Sequence, residues 1–169
     1  MNASRLCLIL LIAFLVILPS CHNGTTPTPT ATVATLSPTA TPVSSISLKV
    51  ETAGAVWSNK FITGLSGRTS VEGGMLFDFE KTVTVSFQTE DTLIPLSIAF
   101  ISEDKTILNI QNMEPLSDKL YVPASPYRYA LEVNQGYFEE KGITVGDRIE
   151  FQSADSKDYL TILIFSSAE

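Results

Sequence analysis

From residue 45 onward the chain alternates apolar and polar residues with a period of two, the pattern of half-buried strands. In "KTVTVSFQ", Val83, Val85 and Phe87 share one face, opposite Thr82, Thr84, Ser86 and Gln88. "LIPLSIAFI" sets Leu96, Ile98 and Phe100 against the smaller Ser97 and Ala99. "YRYALEV" sets Tyr127, Tyr129, Leu131 and Val133 against Arg128, Ala130 and Glu132. The polar stretch "SEDKT" leads into "ILNIQNM", and "SADSK" joins "DRIEFQ" to "DYLTILIF", so both read as hairpin loops. With "ISLKVET" at the start, these segments predict roughly seven short strands. Two stretches depart from alternation. "VWSNKFITGL" predicts a turn or two of helix ended by Gly64. "NQGYFEEKG" predicts a short helix capped by Asn134, holding Glu139 and Glu140 and stopped by Gly142. The expected fold is mainly β: an antiparallel sandwich or barrel-like domain over 46–169, with one or two short helices.

Upstream the pattern changes twice. Leu6 to Leu18 is an unbroken apolar run preceded by Arg5. It falls short of the about 20 residues of a membrane span and fits the core of a secretory signal peptide over 1–20. The run ends in Leu18-Pro19-Ser20-Cys21, which resembles a bacterial lipobox, with Pro19 where a small or aliphatic residue is usual. The chain has two cysteines, and Cys7 lies inside the apolar run. Cys21 would therefore stand unpaired in an oxidising compartment, and lipid on its sulfur (diacylglycerol bearing palmitate-like chains) accounts for it. The following residues, 21–45, are rich in threonine and proline and carry no acidic or basic side chain apart from His22. Such a tract cannot bury enough apolar surface to offset chain entropy, so it predicts a disordered tether, extended at Pro27, Pro29, Pro38 and Pro42. The expected location is the extracytoplasmic face of a bacterial cell membrane, held there through Cys21.

Charge narrows the partners. The chain holds 11 basic and 18 acidic residues, a net charge of −7, which becomes −8 when Arg5 leaves with the leader. An acidic domain argues against nucleic acid as a direct partner.

Several segments of the domain, taken in order, resemble a known family. They are "GLSGRTSVEGGMLFDF", "TLIPLSIAFI", "MEPL" and "YRYALEVNQGYFEEKGITVGD". The resemblance, over about 46–151, is to the uncharacterised, mostly secreted prokaryotic family known as domain of unknown function one-nine-two. It implies a compact β-rich domain, often behind a signal peptide, with no established activity. Gly64, Leu65 and Arg68 match its first motif, and Gly74, Met75, Leu76 and Phe77 its second. Thr92, Pro95, Leu96, Ile98, Phe100 and Ile101 match the third. Arg128, Tyr129, Leu131, Glu132, Val133, Asn134 and Gly136 match the fourth, and Gly142, Val145, Gly146 and Asp147 the last. The chain departs at Ser66, at Gln88-Thr89, at Glu90-Asp91 and at Ser97, where the family usually carries methionine, tryptophan-methionine, lysine-asparagine and aspartate.

The reacting groups of most enzyme classes are missing from the domain. His22, the one histidine, lies beside the expected anchor, so no Ser-His or Cys-His pair is available. No metal-ligand spacing and no phosphate-binding glycine loop is present, so neither cofactor nor metal is expected. "GLSGR" is not a nucleophile elbow, because Arg68 replaces the closing glycine. Arg68 presents a planar guanidinium able to clamp a carboxylate, belonging either to a ligand or to Glu132 or Asp91 within the protein. Tyr129 and Asn134 would complete a polar patch with Arg68, Asp91 and Glu132. The functional expectation is a non-catalytic module that recognises a small molecule, glycan or protein. The alternative is an envelope glycan hydrolase using a carboxylate pair such as Glu132 with Asp91.

Overall fold

A computed structural model describes residues 44–154 and 156–167. The expected leader, Cys21 and the threonine/proline tract up to residue 43 lie outside these residues. The described chain forms, in order, β1 (Ser45–Thr52), α1 (Asn59–Thr63), β2 (Gly74–Val83), β3 (Phe87–Thr89), β4 (Leu96–Ile101) and β5 (Ile107–Met113). There follow β6 (Ser117–Tyr121), β7 (Tyr127–Asn134), α2 (Tyr137–Glu140), β8 (Arg148–Ala154) and β9 (Tyr159–Phe165). Seven strands make one sheet in the order β5-β4-β7-β2-β1-β9-β8, while β3 and β6 form a separate two-stranded ribbon.

The two edges of the large sheet meet. Thr106 and Arg148 form an antiparallel bridge. Around it the Ile107 amide donates to the Asp147 carbonyl at 2.8 Å and the Ile149 amide to the Lys105 carbonyl at 2.9 Å. The sheet thus curls toward a barrel, closed at this one point. The expectation of a mainly β, barrel-like domain holds, with one difference in strand direction. Every neighbouring pair in the sheet is antiparallel except β1 and β2, which run parallel and share only the register pairs Glu51–Met75 and Thr52–Leu76.

Closure creates an inside and an outside, and both are packed. Leu48, Val50, Leu76, Ala99, Ile101, Tyr129, Leu131, Val133, Ile149, Ile162 and Ile164 fill the interior, joined by Phe138 of α2. On the outer face of β2, β4 and β7 lies a second cluster that includes Phe77, Phe79, Ile98 and Phe100. Phe61 of α1, Leu65 and Tyr121 of β6 belong to it and cover that face. A fully buried side chain of this kind contributes about 1.5–3 kcal/mol relative to exposure. Because β4 is covered from both sides, all six of its residues are buried, and alternation there sorts two cores rather than core from solvent.

The local expectations meet the structure unevenly. Ser58 caps α1 by accepting from the Phe61 amide at 3.3 Å, and Gly64 ends it as expected. At α2 the capping position belongs to Gly136 in a left-handed conformation. The Asn134 side chain donates instead to the Val71 carbonyl at 3.0 Å, because Asn134 is the last residue of β7. "KTVTVSFQ" is not one strand. β2 begins earlier, at Gly74, and stops at Val83, while Phe87 opens β3. The irregularity is at Glu80, whose φ is +60° and whose amide donates to Asp78 Oδ1 at 2.7 Å. The register with β7 slips between Asp78 and Val83.

Candidate functional site: the seam between β1 and β2

Between β1 and β2 the barrel is weakly stitched. β1 pairs with β9 without a break from Ser45–Phe165 to Glu51–Tyr159, yet on its other side it meets β2 only at Glu51 and Thr52. The chain leading into β2 leaves the edge of β1 and forms the far wall of a groove of about 550 Å³. Ser47, Lys49, Glu51 and Tyr159 line one side, and Arg68, Ser70, Glu72 and Gly73 the other. Gly73 sets where the groove closes. A Cβ there would lie 1.9 Å from the Lys49 carbonyl oxygen, and φ is +73°, so only glycine allows the two chains to converge.

At the closed end sits a cluster of charge. Arg68 Nη1 and Nη2 donate to the two carboxylate oxygens of Glu51 at 2.6 and 3.0 Å. Lys60 Nζ adds a contact to Glu51 Oε1 at 2.9 Å and lies 3.7 Å from Asp158 Oδ1. The Arg68 hydrogen bond, more than any other influence, holds the Glu51 carboxyl down at about 2. Lys49 leans over the Tyr159 ring, its Nζ 5.0 Å from the centroid.

The residues singled out from the sequence do not form one patch. Arg68 makes the expected internal clamp, but its carboxylate is Glu51 rather than Glu132 or Asp91. Tyr129 points into the barrel, its ring 5.1 Å from that of Phe151, on the opposite face of β7 from Glu132. Asp91 is exposed, and it is the Asp91 main-chain carbonyl that accepts from the Gly67 amide at 2.7 Å. Asn134 ties the end of β7 to the groove's far wall through Val71.

Glu132 is the unusual member. It lies mid-strand on β7, paired with Met75 on β2 and Ile98 on β4, and only 5 % of its surface is exposed. Its Oε2 is 3.9 Å from where a Cβ on Gly64 would be, so the exit of α1 roofs it over. No ion pair reaches it among the described residues. Burial alone pushes its carboxyl up to about 8, so it is uncharged at neutral pH. Among the described residues, no group of three or more His, Cys, Asp and Glu side chains could hold a metal ion.

Sequence reasoning missed Glu51, Lys49 and Lys60. The signal was present in "ISLKVET", where Ser47, Lys49 and Glu51 alternate with apolar residues and so share the outward face.

The fold and seam define a small mixed β-barrel with a polar groove between its one parallel strand pair. Comparison with known proteins adds the family. Residues 39–151 match the model of the family DUF192, described as Uncharacterized ACR, and the chain belongs to it. No curated protein matches. Two crystal structures are similar. One is a candidate transcription regulator from Sinorhizobium meliloti 1021, 30 % identical, with a TM-score of 0.56; the match covers 63 % of this chain and 92 % of that one. The other is a protein of unknown function from Novosphingobium aromaticivorans DSM 12444, 32 % identical, with a TM-score of 0.55, covering 59 % and 71 %.

Proposed function

We infer that this protein is a lipid-anchored recognition module, displayed outside the cytoplasm on a flexible tether and binding its ligand without catalysis. The observation that carries the reading is the groove of about 550 Å³ at the seam, polar and open, with Arg68, Lys49 and two serines on its walls. Its size falls within the range of small-ligand sites. Arg68 is already engaged by Glu51, which fixes the guanidinium in place. The proposed anchor rests on the apolar run, the lipobox-like tetrapeptide and the unpaired Cys21. A tether serves a binder directly, since it sets reach and local concentration. Glu132 is shut away and uncharged while Asp91 stands exposed on a loop, so this pair gives no support to glycan cleavage.

Two measurements test the reading. Intact mass of the membrane-extracted protein should show Cys21 as the first residue, carrying lipid, and Cys21→Ser should release the protein or block its processing. A product cut elsewhere, or a bare Cys21 thiol, overturns the anchor. For the groove, thermal shift on the full chain in detergent should reveal a binder among cell-wall fragments and envelope solutes. A ligand at 100 times its Kd stabilises by about 2.7 kcal/mol. That shift should vanish in Arg68→Ala; a shift that persists unchanged moves the site elsewhere.

A further inference from the structure

We propose that the seam accepts an extended peptide, which pairs its main chain with the free edge of β1 and adds a strand to the barrel. This rests on the recognition reading above and names the ligand class.

The backbone groups of β1 point alternately to its two sides. The Thr52 amide donates to the Asp158 carbonyl, toward β9, and the Ala53 amide to the Leu76 carbonyl, toward β2. Main-chain groups in a strand alternate sides, and the register with β9 is unbroken from Ser45 to Glu51. Even-numbered residues of β1 therefore face β9, and odd-numbered ones face the seam. β2 meets β1 only from Glu51 on, so the amides and carbonyls of Ser45 and Ser47 face the seam, with Ser47 in the lining of the groove. Among the described residues no other backbone group bonds to them.

An unpaired, regular edge is a template for another strand. Its free part runs from Ser45 to Ser47, about 7 Å at about 3.3 Å per residue, and ends where Gly73 closes on the Lys49 carbonyl. The usual protections are weak here. The edge carries no proline, and its single lysine, Lys49, leans over Tyr159 on β9. The opposite wall is a loop rather than a strand, which leaves room where a longer β2 would have paired. Donors and acceptors at every second residue suit a polypeptide main chain, as in other strand-addition sites. The side chains at the rim are of both signs, Lys49 and Arg68 with Glu51 and Glu72, which favours a ligand read mainly through its backbone.

The parity supplies the test. Nonapeptides of random sequence are selected on the full-length chain in detergent micelles. The best binder is then resynthesised with N-methyl groups placed on one amide at a time. Strand addition predicts that methylation at alternate positions weakens binding by about tenfold or more, while the intervening positions tolerate it. Ser47→Pro removes a seam-facing amide and spares the bonds to β9, so it should cost the same factor while the domain still melts cooperatively. Ser47→Ala should bind normally. Hydrogen exchange at the Ser47 and Lys49 amides should slow when peptide is bound. Selection that yields no peptide, or binding indifferent to N-methylation, overturns the proposal. A dimer that Ser47→Pro dissolves also overturns it, in favour of edge pairing between two copies. N-methyl scanning leaves the protein unaltered, so it decides the matter even where Ser47→Pro fails to fold. A solute or wall-fragment shift lost in Arg68→Ala but indifferent to Ser47→Pro leaves the recognition reading standing and rejects strand addition alone.

Discussion

Two glutamates in this domain live at opposite extremes. Glu51, at the rim of the seam, is 13 % exposed in its side chain and is gripped by Arg68 and Lys60. Glu132 lies between two apolar neighbours under the exit of α1, with burial as the cause of its shift. One is held as an anion down to about pH 2 and the other is kept as an acid up to about pH 8. Residue type is the same in both, so the protonation state comes from desolvation and partners alone. The lesson for function is that a carboxyl in a family motif is not by that fact a reactive carboxyl. Glu132 is closed off, whereas Glu51, outside the motifs, stands at the open groove.

The largest expected effect tests Glu132. Its folded pKa is raised, so between about 4.5 and 8 the unfolded chain has released a proton that the folded chain retains. Stability therefore falls as pH rises through that window, by a total of about 5 kcal/mol, and levels off above it. Urea denaturation at a series of pH values from 4 to 9 should show this slope, and Glu132→Gln should remove it. A flat profile in the wild-type protein would contradict the buried neutral carboxyl.

Next comes Arg68→Ala, which leaves Glu51 with Lys60 alone. Glu51's folded pKa is depressed, so its contribution is present above about 4.5 and is lost as pH falls toward 2. Without Arg68 that acid limb should move upward in pH. Stability at pH 7 should fall by about 1 kcal/mol, a modest figure because the guanidinium is partly exposed and screened. An acid limb at the same pH in both proteins would show that Arg68 is not the group that holds Glu51 charged. The smallest effect is expected for Lys60→Met, which removes the weaker partner. A loss of about 0.5 kcal/mol that shrinks in 1 M salt is the expected result. A larger loss than that of Arg68→Ala would reverse the ranking of the two cations.

The sequence carried the class of fold because alternation is a local property, and it survives wherever one face of a strand differs from the other. Both hairpin loops, Gly64 at the end of α1 and the helix near Tyr137 were legible for that reason. β2 was not. "GMLFDF" is buried on both faces along most of its length, so its pattern is a near-continuous apolar run rather than an alternation. Its break at Glu80 depends on a backbone conformation that a glutamate adopts only under tertiary constraint. The site was half legible. Arg68 stood out as a clamp, but its partner lies 17 residues back on another strand, and no local rule names such a partner. Tyr129 and Glu132 were placed in one polar patch, although the alternation in "YRYALEV" already put them on opposite faces of the strand.

The strand order also bears on how the domain comes into being. β1, the first strand, has its full-length partner in β9, the last, and the bridge from Thr106 to Arg148 likewise waits for β8. A chain emerging N-terminus first can assemble β4 with β5, but it cannot complete the barrel until residues 159–165 have arrived. Pairings so far apart in sequence close large loops, and topologies built on them fold in milliseconds to seconds rather than microseconds. Until then the edge of β1 that pairs with β9 stays bare along its whole length.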